Sequence, residues 1–221
     1  MKKDFTAVYH NSWNRYDFVA LLIQAGRDYK HRYKAISLAG LKEGDAVLDV
    51  CCGTGLSFAP VQQIIGNKGK IIAVDINDKM LNLARKRANK SGWDNITFIN
   101  TDIEKLEIDE PIDIALFALC WYDKDICADW IRHISKFLQK DSGKICVLDF
   151  KLPENWARFI AIPILWCTIK LLNETFTLDE LKWDVMGEIG YLLHDPQYHV
   201  YYLDSIITIS GKPKELTSVS Q

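Results

Sequence analysis

The sequence predicts an α/β protein built on an open, doubly wound, mostly parallel sheet. Two observations carry that prediction. Short apolar runs rich in β-branched residues alternate with helical patterns between residues 46 and 149, and alternation of that kind needs crossover helices between parallel neighbours. The unusual polar residues stand at the carboxyl ends of those runs, where the ligand cleft of such a sheet opens.

Residues 12–39 place Trp13, Tyr16, Phe18, Val19, Leu22, Ile23, Tyr29, Tyr33 and Ile36 at spacings of mostly three and four. This predicts one or two amphipathic helices, broken near Gly26 and lying across the domain rather than inside it. The turn 41–45 leads into a first strand, Ala46 to Val50, which breaks into Cys51-Cys-Gly-Thr-Gly55 before a helix from Ser57 to Ile65. Strand two, Lys70 to Asp75, ends on an acid. Asn77 is a fair N-cap for a helix that sets Met80, Leu81, Ala84 and Ala88 on one face. Ile96 to Ile99 is a short third strand. Ile112 to Leu119, interrupted only by Asp113, reads as a central strand buried on both faces.

Ile126, Trp130, Ile134, Phe137 and Leu138 repeat at helical spacing, and the Gly143 turn delivers a fifth strand, Lys144 to Asp149. Residues 159–169 form an uncharged, helix-like run, and Thr177-x-x-Glu180 is a capping box for a further helix. His199 to Leu203 and Ser205 to Ser210 complete a seven-stranded sheet as an antiparallel edge pair, before a polar tail.

Size and composition fit one compact domain: 221 residues, 48% hydrophobic, 25% charged. The net charge of −2 argues against nucleic-acid binding, although residues 1–40 carry seven Lys or Arg against three Asp, read as a solvated face. Six cysteines without Cys-x-x-Cys spacing give neither a zinc pattern nor a disulfide framework, and no metal site is expected. No apolar run follows Met1-Lys2-Lys3 and none reaches the roughly 18 residues of a membrane span. A soluble, cytoplasmic protein is the expectation.

The glycine turn suits a nucleotide or a nucleoside. Gly53 and Gly55 allow positive φ and close backbone approach, and the following helix aims its positive end there. Asp75, 20 residues after Gly55, is placed to receive ribose hydroxyls. A dinucleotide site wants a third glycine, but Gly53-x-Gly55-x-x-Phe58 offers an aromatic ring. Asp49, just before the turn, repels phosphate and favours an ammonium or sulfonium group. The charge pattern selects a cationic nucleoside.

At these residues the chain resembles the class I S-adenosylmethionine-dependent methyltransferases, over roughly residues 41–150. Val47-Leu-Asp-Val-Cys-Cys-Gly-Thr-Gly55 is similar to the family's first motif, and Ile72-Ala-Val-Asp75 with Asp78-Lys-Met80-Leu81 to its second. Asn100-Thr-Asp102-Ile103, Ile112-Asp-Ile-Ala-Leu-Phe117 and Gly143-Lys-Ile-Cys-Val147 follow in the family's order. Position 51 is usually glycine in that family. The Cys51-Cys52 pair looks like that of some quinone-biosynthesis methyltransferases, which share the Asp-x-Met-Leu segment.

The resemblance implies a Rossmann-like fold that binds S-adenosylmethionine and releases S-adenosylhomocysteine. It implies that Gly53 and Gly55 line the methionine part of the cofactor, with Asp49 favouring its ammonium. Asp75 then takes the ribose hydroxyls, Ile76 and Met80 pack on adenine, Asp102 with Ile103 receives the adenine amine, and Cys51, Thr54 and Ala118 are further cofactor-binding positions. The single domain divides into an N-terminal helical cap (1–40), a cofactor-binding core (41–150), a helical lid or acceptor region (151–195), a strand pair (196–211) and a flexible tail (212–221).

Methyl transfer is an in-line displacement, which needs positioning, exclusion of water and, for some acceptors, a base. Tyr122 and Asp123, just past strand four, are the catalytic candidates; cleft wall and N-cap are their bland alternatives. His194 and His199 read as satisfied histidines before acceptor ligands. Cys51, Cys52 and Cys120 end neighbouring strands, so a thiol cluster facing the cleft is open, with apolar packing the commoner outcome. The uncharged stretch in 156–172 suits a lid over an apolar acceptor, such as a quinone or lipid, or a peripheral membrane contact, against a plain core helix. A non-catalytic cofactor-binding module remains an alternative. An NAD(P)-dependent oxidoreductase is disfavoured by the missing third glycine and the lack of Tyr-x-x-x-Lys.

Overall fold

A computed structural model of the chain describes residue 17 and residues 26–120, 124–163, 166 and 185–214. Its seven-stranded sheet runs in the order β3-β2-β1-β4-β5-β7-β6. The strands are β1 (Ala46–Val50), β2 (Lys70–Asp75), β3 (Ile96–Asn100), β4 (Ile114–Ala118), β5 (Lys144–Phe150), β6 (Leu193–Tyr201) and β7 (Ile206–Pro213). β1 to β5 pair in parallel, and β7 runs antiparallel between β5 and β6. Strand order reverses at β1, which places the switch point where β1 and β4 emerge side by side.

The helices are α1 (Asp28–Ala39), α2 (Phe58–Ile65), α3 (Asp78–Ser91), α4 (Lys124–Ser135) and α5 (Val185–Tyr191). One face of the sheet packs Val47, Ile71, Ala73, Leu116, Cys146 and Leu148 under residues of α1, α2 and α3. The other packs Leu48, Val50, Val74, Phe117, Val147 and Ile207 under residues of α4 and α5. The alternation of the two sets along each strand is the period of two that the sequence shows. The N-cap at Asn77 is as expected, its side chain accepting from the Lys79 and Met80 N–H groups, and α3 runs on past Ala88 until Gly92 closes it in the left-handed region.

Four expectations need correction. α1 is not a cap lying across the domain: Ala35, Ile36 and Ala39 are fully buried and join the core beside Cys146 and Leu148. The basic surplus of residues 1–40 is not wholly a solvated face, because Arg32 is only 4% exposed. The fourth strand is shorter than the apolar run, since Ile112 leaves the ladder to bridge Leu138. The C-terminal pair starts earlier and ends later than 199–210, with β6 opening at Leu193 and β7 reaching Pro213. The polar stretch His194 to Gln197 hides β6 from a hydrophobic reading, because it is an outer edge strand with a register shift between His194 and Gln197. The first N-terminal helix (save Asp17), the capping box at Thr177 and the tail beyond 214 lie outside the described residues.

Candidate active site

The site is built on the carboxyl ends of β2, β1, β4 and β5. β1 delivers Asp49 almost fully buried on the α1 side of the sheet, and its Oδ2 has no hydrogen-bond partner among the described residues. Burial raises its pKa to about 7, against the pull of the Arg32 charge and the Ser57 hydroxyl, while the nearby Asp75 charge pushes it further up. Arg32 reaches this place from α1: its Nε donates to both Asp28 oxygens at 3.0 Å and its Nη1 to Ser57 Oγ at 2.8 Å. Sequence reading missed Arg32. The signal was its i, i+4 spacing from Asp28, a pairing that lets a guanidinium go under the sheet.

The turn after β1 is held by its own amides. Cys52 N–H donates to the Val74 carbonyl at 2.9 Å, Gly53 N–H to Asp75 Oδ2 at 2.8 Å, and Gly55 N–H to the Cys52 carbonyl at 2.9 Å. The Gly53 and Gly55 N–H groups thus shape the turn, and their contribution to a ligand is the room they leave. At Gly53 a side chain would meet nothing within 4 Å. At Gly55, φ is +78° and a Cβ would stand 2.4 Å from the Phe58 ring, so the ring that replaces a third glycine is packed onto the second one. Cys51 adopts φ 54°, a left-handed conformation costly for a residue with a side chain, where glycine would be unstrained. Leu119, at the exit of β4, does the same with φ 56°.

Asp75 closes β2. Besides Gly53, it accepts from Asn77 N–H at 2.8 Å, and Asn100 Nδ2 donates to the carbonyls of Asp75 and Ile76 at 2.9 and 3.0 Å. Desolvation raises the Asp75 pKa, and those two amide bonds hold it down. Next to it Ile76 is 44% exposed, an apolar side chain at the rim, whereas Met80 is buried in α3. Asp102 is half-buried and caps the short turn Ile103–Lys105 by accepting from Glu104 N–H at 3.1 Å; Ile103 is buried in the core. Ala118 is buried at the end of β4. Thr54 is buried and its hydroxyl donates to Asp17 Oδ1 at 2.5 Å, while Asp17 also pairs with Arg87 of α3. Asp17 therefore bridges the glycine turn and α3.

The thiols divide between the two faces. Cys52 packs on the α1 side, while Cys51 and Cys120 pack on the other. Burial pushes the Cys120 and Cys52 thiols well above their usual range, so both are neutral packing groups at pH 7. Among the described residues no group of three His, Cys, Asp or Glu is arranged to hold a metal. His194 and His199 sit on the outer edge strand β6, away from this cleft. Tyr122 and Asp123 lie outside the described residues.

One carboxylate escaped sequence reading. Asp149, near the end of β5, is 8% exposed and accepts from the Phe150 N–H at 2.7 Å. Burial raises its pKa to about 7. The signal was present, since Asp149 closes an apolar strand just as Asp75 does. In 156–172, Ala157 is buried but Trp156, Phe159 and Ile160 point outward, Phe159 being 83% exposed. That part, helical over 158–163, is not a plain core helix.

The model of the ubiE/COQ5 methyltransferase family matches residues 2–162. The ubiquinone/menaquinone biosynthesis C-methyltransferase UbiE of Azotobacter vinelandii (strain DJ / ATCC BAA-1303) is 30% identical over 150 residues, covering 67% of this chain and 59% of that protein. The protein of the same name from Pseudomonas fluorescens (strain SBW25) is 31% identical over 150 residues, covering 67% and 58%. The chain thus spans about three-fifths of the length of the curated relatives it matches. Among solved structures, magnesium protoporphyrin IX methyltransferase of Synechocystis PCC 6803, with bound SAH, superposes with a TM-score of 0.61 at 16% identity, over 94% of this chain and 98% of that one. A SAM-dependent methyltransferase from Aquifex aeolicus gives 0.58 at 20% identity, over 81% and 87%. At these identities the likeness is one of fold.

Proposed function

The chain belongs to the ubiE/COQ5 methyltransferase family, a family of class I S-adenosylmethionine-dependent methyltransferases, and from that premise we propose that it transfers a methyl group from S-adenosylmethionine to a small, apolar, ring-type or lipid-like acceptor. The observation that carries the reading is the buried, unpartnered Oδ2 of Asp49 beneath a glycine turn. A carboxylate oxygen so placed lacks a hydrogen-bond donor, and an amino acid's ammonium supplies one. A phosphate there would face a negative charge in a water-poor site.

The residues fit the cofactor. S-adenosylmethionine brings an electrophilic methyl on a sulfonium. Asp49 receives the ammonium, and Cys51, Gly53, Thr54 and Gly55 frame the methionine portion with Ala118 as a wall. Asp75 receives the ribose hydroxyls through the lone pairs that Gly53 and Asn77 leave. The exposed Ile76 and the α3 side chain of Met80 give adenine an apolar seat, with Asp102 and the Ile103 backbone at its amine edge. Tyr122 and Asp123 are assigned to the acceptor side.

The apolar acceptor is supported by the outward Trp156, Phe159 and Ile160 and by relatives whose names refer to ubiquinone and menaquinone biosynthesis. The same outward stretch supports a peripheral contact with a lipid surface; no helix among the described residues is long and apolar enough to cross a membrane. Incubation with S-adenosylmethionine labelled in its methyl group and a lipid extract tests the reading. Label in the organic phase supports it, and label found only in the unchanged donor, after the acceptor fraction has been varied, refutes it.

A further inference from the structure

We propose that Asp149 is a catalytic residue on the acceptor side of the site, a carboxylate that takes the proton of a hydroxylated ring as the ring receives its methyl group. This rests on the methyltransferase reading above, and it names a residue for the proton step which that reading leaves open.

Sheet order sets a row of residues along the cleft. β2, β1, β4 and β5 are consecutive neighbours, and their carboxyl ends carry Asp75, Cys51, Cys120 and Asp149 in that sequence. Cys120 feels the charge of Asp75 on one side and of Asp149 on the other, and its thiol meets Cys51. Asp149 therefore stands at the far end of a short row that starts at the proposed ribose acid. A cofactor seated over β1 and β2 leaves the β4 and β5 end for the group that attacks the methyl.

Burial without compensation is the second strand of the argument. Asp149 follows Ile145 and Val147 on the face that packs against α4 and α5, and lies opposite Ile207 of β7. Its one hydrogen bond among the described residues is from the next backbone amide. Lys151, the cation nearest in sequence, is committed to Asp204 at 3.1 Å and Glu154 at 3.5 Å. Among the described residues the titratable groups that face Asp149 are Cys120 from the β4 exit and Cys127 from α4, with Glu188 of α5 acting on Cys127. None is a cation. A strand end does not need a carboxylate in such surroundings, whereas proton transfer does. With its pKa raised to about 7, Asp149 is partly carboxylate at neutral pH and a stronger base than an ordinary aspartate.

The step balances. The acceptor O–H bond breaks, its proton goes to Asp149, and the electron pair enters the ring. The nucleophilic atom bonds to the methyl carbon as the methyl–sulfur pair returns to sulfur, leaving S-adenosylhomocysteine. For transfer to carbon, that ring atom then gives up its hydrogen as a proton and the oxygen regains one. One proton leaves per methyl in either case.

The test uses the full chain, methyl-labelled S-adenosylmethionine and naphthohydroquinone kept reduced with dithionite. Asp149→Asn is expected to lower kcat by about 100-fold or more while S-adenosylhomocysteine affinity stays within about threefold of wild type. Wild-type kcat should fall as pH drops below about 7, the variant should lose that limb, and Asp149→Glu should regain part of the rate with the limb intact. Wild-type transfer to the probe with Asp149→Asn within about threefold of it, and an unchanged acid limb, overturns the proposal. So does a wild-type protein that binds S-adenosylhomocysteine yet leaves the probe unmethylated, an outcome in which the cofactor reading survives. Failure to bind S-adenosylhomocysteine removes both.

Discussion

The Oδ2 of Asp75 accepts the Gly53 N–H at 2.8 Å, so the last residue of β2 fastens the turn that leaves β1. The carboxylate proposed to receive ribose thus also sets the geometry of the turn proposed to frame the methionine portion. Asp75→Ala is expected to weaken S-adenosylhomocysteine binding by at least about tenfold, the scale of one lost charged hydrogen bond. Calorimetric titration measures this; unchanged affinity would remove Asp75 from the ribose role.

Gly55→Ala should be poorly tolerated for two separable reasons. The added Cβ meets Phe58 at 2.4 Å and the backbone sits at φ +78°. Each is worth about 1–3 kcal/mol. In a denaturant-unfolding cycle with Phe58→Ala, the steric share should be relieved and the backbone share should persist.

Cys51→Gly should go the other way. At φ 54° a cysteine is strained and glycine is not, so the replacement is expected to stabilise the protein by about 1 kcal/mol, less what the contact with Cys120 contributes. S-adenosylhomocysteine affinity should be retained. A loss of stability in equilibrium unfolding would mean that the thiol contact outweighs the backbone strain.

Much of this arrangement is legible in the chain because it is local. β1, β2 and α3 follow from apolar runs, an N-cap at Asn77 and a closing Gly92, each readable within a few residues. Asp49 and Asp75 are legible because an acid ending or interrupting a buried strand is rare. What escapes depends on distant partners. Arg32 is buried because Asp28 and Ser57 receive it, and Ser57 lies 25 residues away. α1 reads as a cap because its burial comes from α2 and from β5 and β7, the two strands lying far away in the sequence. The edge strand β6 exposes too much polar surface to show a period of two.

The buried acids give the apo protein a characteristic pH dependence. Asp49 titrates near 7 when folded and near 3.8 when exposed in the unfolded chain, so folding takes up a proton between those values. Its contribution to stability is full below the unfolded value and is lost as pH rises towards about 7; Asp149 acts in the same direction. Asp49→Asn should flatten that part of the profile in chemical denaturation across the acid-to-neutral range, leaving the Asp149 share. An identical slope in the variant would contradict the assignment.

The central claim is that the pocket around Asp49 and the glycine turn holds a cationic nucleoside amino acid. Calorimetric titration of the wild type and of Asp49→Asn with S-adenosylhomocysteine and with NAD tests it most directly. The account predicts one-to-one binding of S-adenosylhomocysteine by the wild type, with a proton released near neutral pH as the ammonium draws Asp49 into its charged form. It predicts weaker binding and no such proton in Asp49→Asn, and no binding of NAD. Binding of NAD without S-adenosylhomocysteine, or equal affinity and equal proton release in the variant, would contradict it.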